Sequence, residues 1–325
     1  MSQIGTRGSH ATSPQRLGTR EFLRRYGVLL ALIGLIVVSS LLSDRFLSPT
    51  NLLNVLRQIA IVGVLAIGMT FVLITAGIDL SVGSILALVA VTAAAGVNSN
   101  GPLAGVAIGL LVGTSLGLVN GLGITRGGVQ PFVMTLGMLA FARGLAFVFT
   151  GGQPVPVTDP AFLAIGNGKL FGIPNPAIIF LSLLLVAHLV LRYTTFGRQV
   201  YAIGSNDEAA RLSGIAVRRV RTMVYVISGL TAGVAGILYA SQLGVGTPVA
   251  GESSALDAIA ATVVGGTSLF GGQGGVGGTF LGAAILGVLQ NTMNLNGVDP
   301  FVQRLFGGVV LVAAVMLQRK DARGG

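Results

Sequence analysis

The sequence predicts an all-α polytopic membrane protein, and its composition is the first reason. Of its 325 residues, 52% are hydrophobic and only 9% are charged, and the mean hydropathy is +0.85. An ordinary soluble domain carries about 25% charged residues. The chain has no cysteine and only two histidines, which excludes a disulfide scaffold and a thiolate metal site. Most of its surface is therefore expected to face lipid or other parts of the protein.

Ten apolar windows are the second reason. A helix needs about 20 mostly apolar residues to cross the hydrocarbon layer, and polar or glycine-rich breaks separate such windows along the chain. We expect about ten transmembrane helices, over residues 26–42, 58–76, 80–97, 102–122, 131–150, 172–191, 222–243, 255–270, 275–295 and 301–317. The eighth window is the shortest and is bounded by glycines, so it is either a broken helix or a re-entrant segment.

The positions of the basic residues are the third reason, and they set the orientation. Lys and Arg accumulate on the cytoplasmic side of membrane proteins. With ten spans and a cytoplasmic amino terminus, most of the twenty Lys and Arg residues fall inside the cell, chiefly before residue 26, between 192 and 221, and after 318. We therefore expect both termini in the cytoplasm. Removing or merging a matched pair of weak spans would give eight helices with the same orientation, and this alternative stays open.

Polar segments at the two ends divide the chain into three parts. Residues 1–25 are rich in Ser, Thr, Gly and Arg and are expected to form a disordered cytoplasmic arm. Residues 26–318 form the transmembrane domain, and residues 319–325 form a cytoplasmic tail. Glycine-rich breaks before small-residue helices occur at 77–84 and 271–278. Because many transporters are duplicated in this way, two internal repeats remain an open alternative.

Glycine spacing in the fourth window predicts close helix packing. Five glycines recur at every fourth position of this window: Gly105, Gly109, Gly113, Gly117 and Gly121. They share one helix face, and membrane helices associate through such faces because lipid provides no hydrophobic driving force between them. Gly229 and Gly233 form a similar pair in the seventh window.

The longest cytoplasmic connection, residues 192–221, contains a short predicted helix. Ser205 and Glu208 have the spacing of a capping box, in which the serine hydroxyl bonds the amide of Glu208 and the glutamate returns to the amide of Ser205. Asp207 and Arg211 would pair at positions i and i+4. The net charge of +10 is not gathered into one exposed patch, so no nucleic-acid partner is expected.

The sequence also predicts where this short helix ends and which side chains cover its surface. Gly214 would provide a left-handed stop, and Ala209 and Ala210 leave the start of the helix with little side-chain bulk. Such a helix suits insertion into a cleft of a partner protein. The alternative is an amphipathic linker that lies on the lipid headgroups.

Polar side chains inside apolar windows mark a candidate pathway, since such groups are costly in a membrane unless they meet a partner or water. The candidates are Asp79, Ser81, Thr135, Gln290, Asn291 and Asn294. The last three share one helix face, and interhelical hydrogen bonds explain them equally well. Arg143 lies inside the fifth window, so it should pair with an acid such as Asp79, Asp257 or Asp299, or reach the interface.

Several segments together resemble the permease subunits of ABC importers for monosaccharides such as ribose, xylose, arabinose and galactosides. The resemblance covers residues from about 25 to 318. The segments that carry it are residues 77–83, 135–137 with 143–144, 196–206, 208–215 and 264–272.

The resemblance implies a permease of the bacterial inner membrane that translocates a monosaccharide and is not an enzyme. A periplasmic sugar-binding protein would deliver the sugar, and a second permease subunit, identical or different, would complete the pore. The position and proline-containing composition of residues 151–171 make them the candidate docking loop for the binding protein. ATP and Mg²⁺ would bind a separate ATP-binding cassette subunit, so this chain would need no cofactor or metal of its own. The family's coupling element matches Glu208, Ala209, Ala210 and Gly214, within a predicted helix that also contains Ser205, Asp207 and Arg211.

Two other functions stay open on the residues. Asp79 and the glycine-broken segments would suit an ion-coupled secondary transporter of a small neutral solute. Gly113, Ser115 and Gly117 match the nucleophile motif of hydrolases, but that motif requires a strand-to-helix turn. Because it lies inside an apolar window, we expect these residues to serve in helix packing.

Overall fold

The computed structural model describes residues 19–323, so most of the predicted arm and the end of the predicted tail lie outside the described residues. The described part is almost entirely helical and contains the helices α1 Thr19–Leu42, α2 Pro49–Ile74, α3 Val82–Asn100, α4 Pro102–Thr125, α5 Pro131–Thr150, α6 Pro160–Asn167, α7 Asn175–Tyr193, α8 Thr195–Ser205, α9 Asp207–Leu212, α10 Val217–Leu243, α11 Ser254–Val264, α12 Val276–Leu295 and α13 Pro300–Arg323. It also contains the strands β1 Val155–Pro156, β2 Lys169–Leu170, β3 Ile173–Pro174 and β4 Val245–Gly246.

The predicted all-α polytopic class is confirmed. Within the described residues, seven helices are long and apolar enough to cross a membrane: α2, α3, α4, α5, α7, α10 and α12. The apolar part of α1, Tyr26–Leu42, and α11 are shorter. Each of the ten predicted windows coincides with a helix or part of one, but the number of crossings stays a prediction.

Prolines and glycines set the helix ends in the way the sequence indicates. Proline stands in the first turn of α2, α4 and α5, where its missing N–H costs nothing. Gly151 and Gly244 adopt φ values of 60° and 68° directly after α5 and α10. Only glycine enters this left-handed region without strain, so these ends are encoded locally.

The eighth predicted window contains a helix that is too short to cross a membrane by itself. Its helix, α11, has 11 residues and is about 16 Å long at 1.5 Å per residue, roughly half the hydrocarbon layer. Residues 247–253 approach it as an irregular segment alongside α3, where a Cβ on Gly251 would lie 2.7 Å from the Gly83 carbonyl oxygen. After α11, the amide of Gly272 donates to the carbonyl of Ile74 at the end of α2. The residues that flank α11 on its two sides are therefore packed against α3 and the end of α2.

Helices α4 and α10 share the most extensive contact in the structure, and glycines form it. A Cβ on Gly113 would lie 2.5 Å from the carbonyl oxygen of Gly229 and 2.8 Å from the Cα of Gly233. A Cβ on Gly117 would lie 2.9 Å from the Cα of Gly229. The predicted glycine faces are thus confirmed, and each is the other's partner. Ser115 lies on the opposite, exposed face of α4, which confirms that it is not at a hydrolase elbow.

The candidate docking loop, residues 151–171, is tied to the end of α10. Strand β1 pairs antiparallel with β4, with Val155 opposite Gly246. The side chain of Asn167, the last residue of α6, donates to the carbonyl of Ser241 at 2.9 Å. Strands β2 and β3 form a short hairpin beyond α6. The loop and the start of the 247–253 segment therefore lie on the same side of the bundle.

Candidate functional site

The connection between α2 and α3 buries a carboxylate. Asp79 is fully buried, and its Oδ1 accepts hydrogen bonds from the amide of Ser81 at 3.0 Å and from the hydroxyl of Ser81 at 2.5 Å. Its Oδ2 accepts from the hydroxyl of Ser228 in α10 at 2.7 Å. The amide of Asn120 in α4 donates to Ser81 Oγ at 2.9 Å. One side chain thereby joins the start of α3 to α10 and, through Ser81, to α4.

Thr135 of α5 lies beside this cluster. Its hydroxyl is 2.9 Å from the carbonyl of Pro131 and 3.3 Å from the carbonyl of Ile78. Three predicted pathway residues, Asp79, Ser81 and Thr135, therefore come together around one turn of chain, and all three are buried. Because their hydrogen bonds are made within the chain, this geometry suits holding the helices that border a pathway.

The three amides predicted on α12 meet different neighbours. Asn291 and Asn51 of α2 exchange two hydrogen bonds of 2.9 Å each. The side-chain oxygen of Asn294 accepts from Gln303 of α13 at 2.7 Å, and Gln290 is exposed. Asn291 and Asn294 thus form interhelical hydrogen bonds, the alternative that the sequence left open, whereas Gln290 faces outward.

Replacing Asp79 with alanine is expected to destabilise the protein strongly. The change leaves the Ser81 and Ser228 donors buried without their acceptor, at about 1–3 kcal/mol for each such group. Thermal unfolding of the detergent-purified permease measures the effect, and Asp79→Asn, which keeps the shape and one acceptor oxygen, should fall between alanine and the original residue. An alanine variant with an unchanged melting temperature would contradict this role.

Arg143 on α5 pairs with main-chain oxygens and not with one of the expected acids. Its Nη1 donates to the carbonyls of Pro248 and Ala250 at 2.5 and 2.7 Å. Both carbonyls belong to the 247–253 segment, which is not helical and so leaves them free to accept. The arginine thereby fastens α5 to the segment that leads into α11.

The cytoplasmic connection contains α8 and α9, and the cap between them differs from the predicted one. Asn206, not Ser205, caps α9, with its side-chain oxygen accepting from the amide of Ala209 at 2.9 Å. Ser205 is the last residue of α8, and its hydroxyl donates to the carbonyl of Tyr201. The capping-box prediction is wrong because Ser205 is already helical and cannot adopt the extended backbone of a cap.

The predicted pair of Asp207 and Arg211 is also wrong. Arg211 instead bonds Glu208, three residues before it, at 2.6 Å. Asp207 lies 3.4 Å from Arg221 in the first turns of α10, since α9 is only six residues long and its first residue faces that helix. Gly214 adopts a φ of 80°, so the predicted left-handed stop is confirmed.

Helices α8 and α9 each have a face that packs on the bundle, and α9 also has an exposed face. Ala210 of α9 is buried, whereas Ala209 is exposed and Leu212 is 77% exposed. Val200 and Ile203 anchor α8 in the core. The outward face of α9 therefore offers small and apolar side chains to whatever contacts it.

The side of α8 that faces the bundle contacts the end of α2 and the glycine-rich segment before α12. A Cβ on Gly204 would clash with the carbonyl of Ile74 at the end of α2 and would lie 2.5 Å from the amide of Gly272. The Tyr201 hydroxyl donates to the carbonyl of Gly274, just before α12, at 2.9 Å. Burial raises the pKa of the Tyr201 phenol, whose ordinary value of about 10 already keeps the hydroxyl protonated at neutral pH. The sequence did not predict the contacts of Gly204, because a glycine has no side chain whose chemistry indicates its partner.

A bundle of long apolar helices with the short helix pair α8 and α9 packed at one end is an arrangement that suits a membrane transport protein. The chain belongs to the family described as branched-chain amino acid transport system / permease component, whose model matches residues 51–315. No solved structure matches the chain.

Three similar proteins carry permease names. A ribose import permease of Bacillus subtilis (strain 168) is 45% identical, over 96% of this chain and 98% of its own length. A ribose import permease of Escherichia coli (strain K12) is 42% identical, over 96% of this chain and 99% of its own. An L-arabinose ABC transporter permease of Azospirillum brasilense is 35% identical, over 95% and 91%. The chain is thus a permease component of the ABC-importer type, which works with ATP-binding and periplasmic binding partners, and not an enzyme.

Proposed function

We propose that this chain is the membrane-spanning subunit of an ATP-driven importer that moves a monosaccharide delivered by a periplasmic binding protein. The family description names amino acids, but relatives named for ribose and arabinose align with nearly the whole chain. A neutral polyol needs hydrogen-bond donors and acceptors along its path and no counter-ion, which agrees with a charge content of 9%. The ion-coupled alternative has no support from these relatives.

The proposal includes an arrangement in the membrane. Ten segments cross the bacterial inner membrane, with α11 and its irregular flanks as one of them, and both termini lie in the cytoplasm. Basic residues concentrated between 192 and 221 support this orientation, because Lys and Arg favour the cytoplasmic side. A second permease subunit, identical or different, completes the pore. ATP and Mg²⁺ bind the separate ATPase, and this chain needs no cofactor of its own.

The observation that carries the proposal is the close packing of α8 against the end of α2 and the segment before α12. We call residues 205–214 the coupling segment. The ATPase would bind the exposed face of α9 in this segment, with Ala209 and Leu212 at the centre of the contact. Movement of that segment would pass through the backbone contact of Gly204 with Ile74 and Gly272. Because these contacts are backbone to backbone, they transmit displacement without slack from flexible side chains.

The proposed pathway need not bind the sugar tightly, because the binding protein supplies affinity and ATP supplies direction. Gln290, which is exposed, is the predicted residue best placed to meet a solute or a second subunit. Asp79, Ser81, Thr135, Asn291 and Asn294 contribute by fixing the helices that border the path. Their hydrogen bonds to other segments of the chain support this division of roles.

Reconstitution tests the proposed function. The permease is placed in liposomes with its ATPase and a sugar-loaded binding protein, and uptake of radiolabelled ribose or arabinose is measured with and without ATP. We expect uptake that requires ATP and both partners. Uptake by the permease alone, driven by a proton or sodium gradient, would instead establish the secondary transporter.

A further inference from the structure

A cavity of about 370 Å³ lies where α3 begins, between α5 and the 247–253 segment. Its walls include Gly83 and Ser84 of α3, Arg143 and Phe147 of α5, and Glu252. Its volume falls within the range of about 300–1,000 Å³ that is typical of small-molecule sites. None of the six residues predicted for the pathway lines this cavity.

Two features keep the cavity open. Arg143 fastens the 247–253 segment to α5 through the carbonyls of Pro248 and Ala250. On the opposite wall, Gly251 has a φ of 66° and packs so closely on Gly83 that a Cβ would lie 2.7 Å from its carbonyl oxygen. The segment is therefore held on both sides, with the cavity between the two attachments.

The polar groups in the cavity keep unused hydrogen-bonding capacity within residues 19–323. Arg143 bonds only through Nη1, which leaves the N–H groups of Nε and Nη2 unused. Glu252 is exposed and has no hydrogen bond there, and its charge attracts the Arg143 guanidinium. The Ser84 hydroxyl has no hydrogen bond there either, although Ser84 is 2% exposed. A buried hydroxyl without a partner is costly, so an occupant that bonds Ser84 and the unused N–H groups of Arg143 would be favoured.

The cavity also contains an aromatic ring. Phe147 lines the same cavity and is 39% exposed. Sugar rings have one face of C–H groups that packs on apolar surfaces and a rim of hydroxyls that donate and accept hydrogen bonds. A guanidinium donor, a carboxylate acceptor, a hydroxyl and a ring match that chemistry group by group.

We propose that this cavity is where the monosaccharide contacts the permease during its passage. Arg143 donates to ring hydroxyl oxygens, Glu252 accepts from a hydroxyl hydrogen, and Phe147 packs against the C–H face. The inference rests on the proposed function and adds to it the residues that recognise the sugar. It also gives the broken eighth segment a role, because its irregular part supplies one wall of the site.

The first test is discrimination between sugars by Glu252→Gln in the assembled importer. Uptake per loaded binding protein is compared for the transported sugar and for an analogue that lacks one hydroxyl, so differences in binding-protein affinity cancel. Removing a hydrogen bond to a charged group is expected to reduce the preference for the full sugar by about tenfold or more. Asp44→Asn, an exposed carboxylate between α1 and α2, is the matched control and should keep the original preference.

The second test uses the absence of cysteine from the chain. Ser84→Cys introduces a single thiol into the cavity, and a membrane-impermeant thiol reagent is expected to modify it, more slowly when sugar is present. Ser241→Cys, which replaces a fully buried serine of α10, is the control and should stay unmodified.

The outcomes separate the inference from the proposed function. An unchanged sugar preference in Glu252→Gln, or an equal loss of uptake for both sugars, overturns the inference, as does Ser84→Cys that resists modification in every state. If the original assembly shows no ATP-driven sugar uptake at all, the proposed function fails, whatever Ser84→Cys shows.

Discussion

Leu212→Asp is expected to lower ATP-driven uptake by about tenfold or more while the helical bundle stays folded. Leu212 is 77% exposed at the end of α9, so an aspartate there meets water and disturbs no packing. In the assembled importer the same position would be covered by the ATPase. Fully burying a leucine side chain is worth about 1.5–3 kcal/mol, which corresponds to about tenfold or more in affinity.

Two measurements check this prediction: sugar uptake in liposomes and co-purification of the ATPase with the permease. Leu47→Asp provides the matched control, because Leu47 is 57% exposed between α1 and α2, outside the coupling segment. Glu208→Lys removes the ion pair with Arg211 and should reduce sugar-stimulated ATP hydrolysis. Normal ATPase binding and uptake by Leu212→Asp would exclude α9 as the docking site.

Gly117→Leu is expected to prevent the bundle from assembling. A Cβ at this position already collides with the carbonyl of Tyr225 and lies 2.9 Å from the Cα of Gly229. Since these neighbours are backbone atoms, no rotamer change relieves the clash, and overpacking should cost about 3 kcal/mol or more. Helices α4 and α10 would have to separate, and with them the contacts that hold α3.

The readout for Gly117→Leu is the yield of monodisperse protein in detergent and its melting temperature. Gly144→Leu is the matched control, because a Cβ on Gly144 of α5 meets nothing within 4 Å. Equal yield and melting temperature for the two variants would show that the glycine contact between α4 and α10 is not what holds the bundle together.

The features that the sequence predicts well are those encoded by neighbouring residues. Hydropathy located the helices, and prolines and glycines located many of their ends, because both act within a few residues. The glycine face of α4 was predictable from its four-residue repeat. Gly229 and Gly233 only suggested that α10 is the partner helix. Two glycine faces that could pack together do not have to be in contact in the fold.

Contacts between distant segments were not predictable from spacing. Asn51 and Asn291 are 240 residues apart, and either amide alone could have faced a pathway. Arg143 was expected to pair with an acid or to reach the interface, but its guanidinium donates to carbonyls of a non-helical segment. The start of α9 was misplaced by one residue because Ser205 and Asn206 are both good caps, and the length of α8 decided between them.

Cross-linking at Ala209 tests most directly whether an ATPase drives this permease through residues 205–214. Because the chain has no cysteine, Ala209→Cys gives one thiol on the exposed side of α9, which a short reducible cross-linker can join to the ATPase subunit. The account predicts a cross-link to that subunit in the working importer, arrest of sugar uptake while the link is intact, and recovery on reduction. An importer in which this thiol stays free and the ATPase cross-links only to another cytoplasmic segment would contradict it.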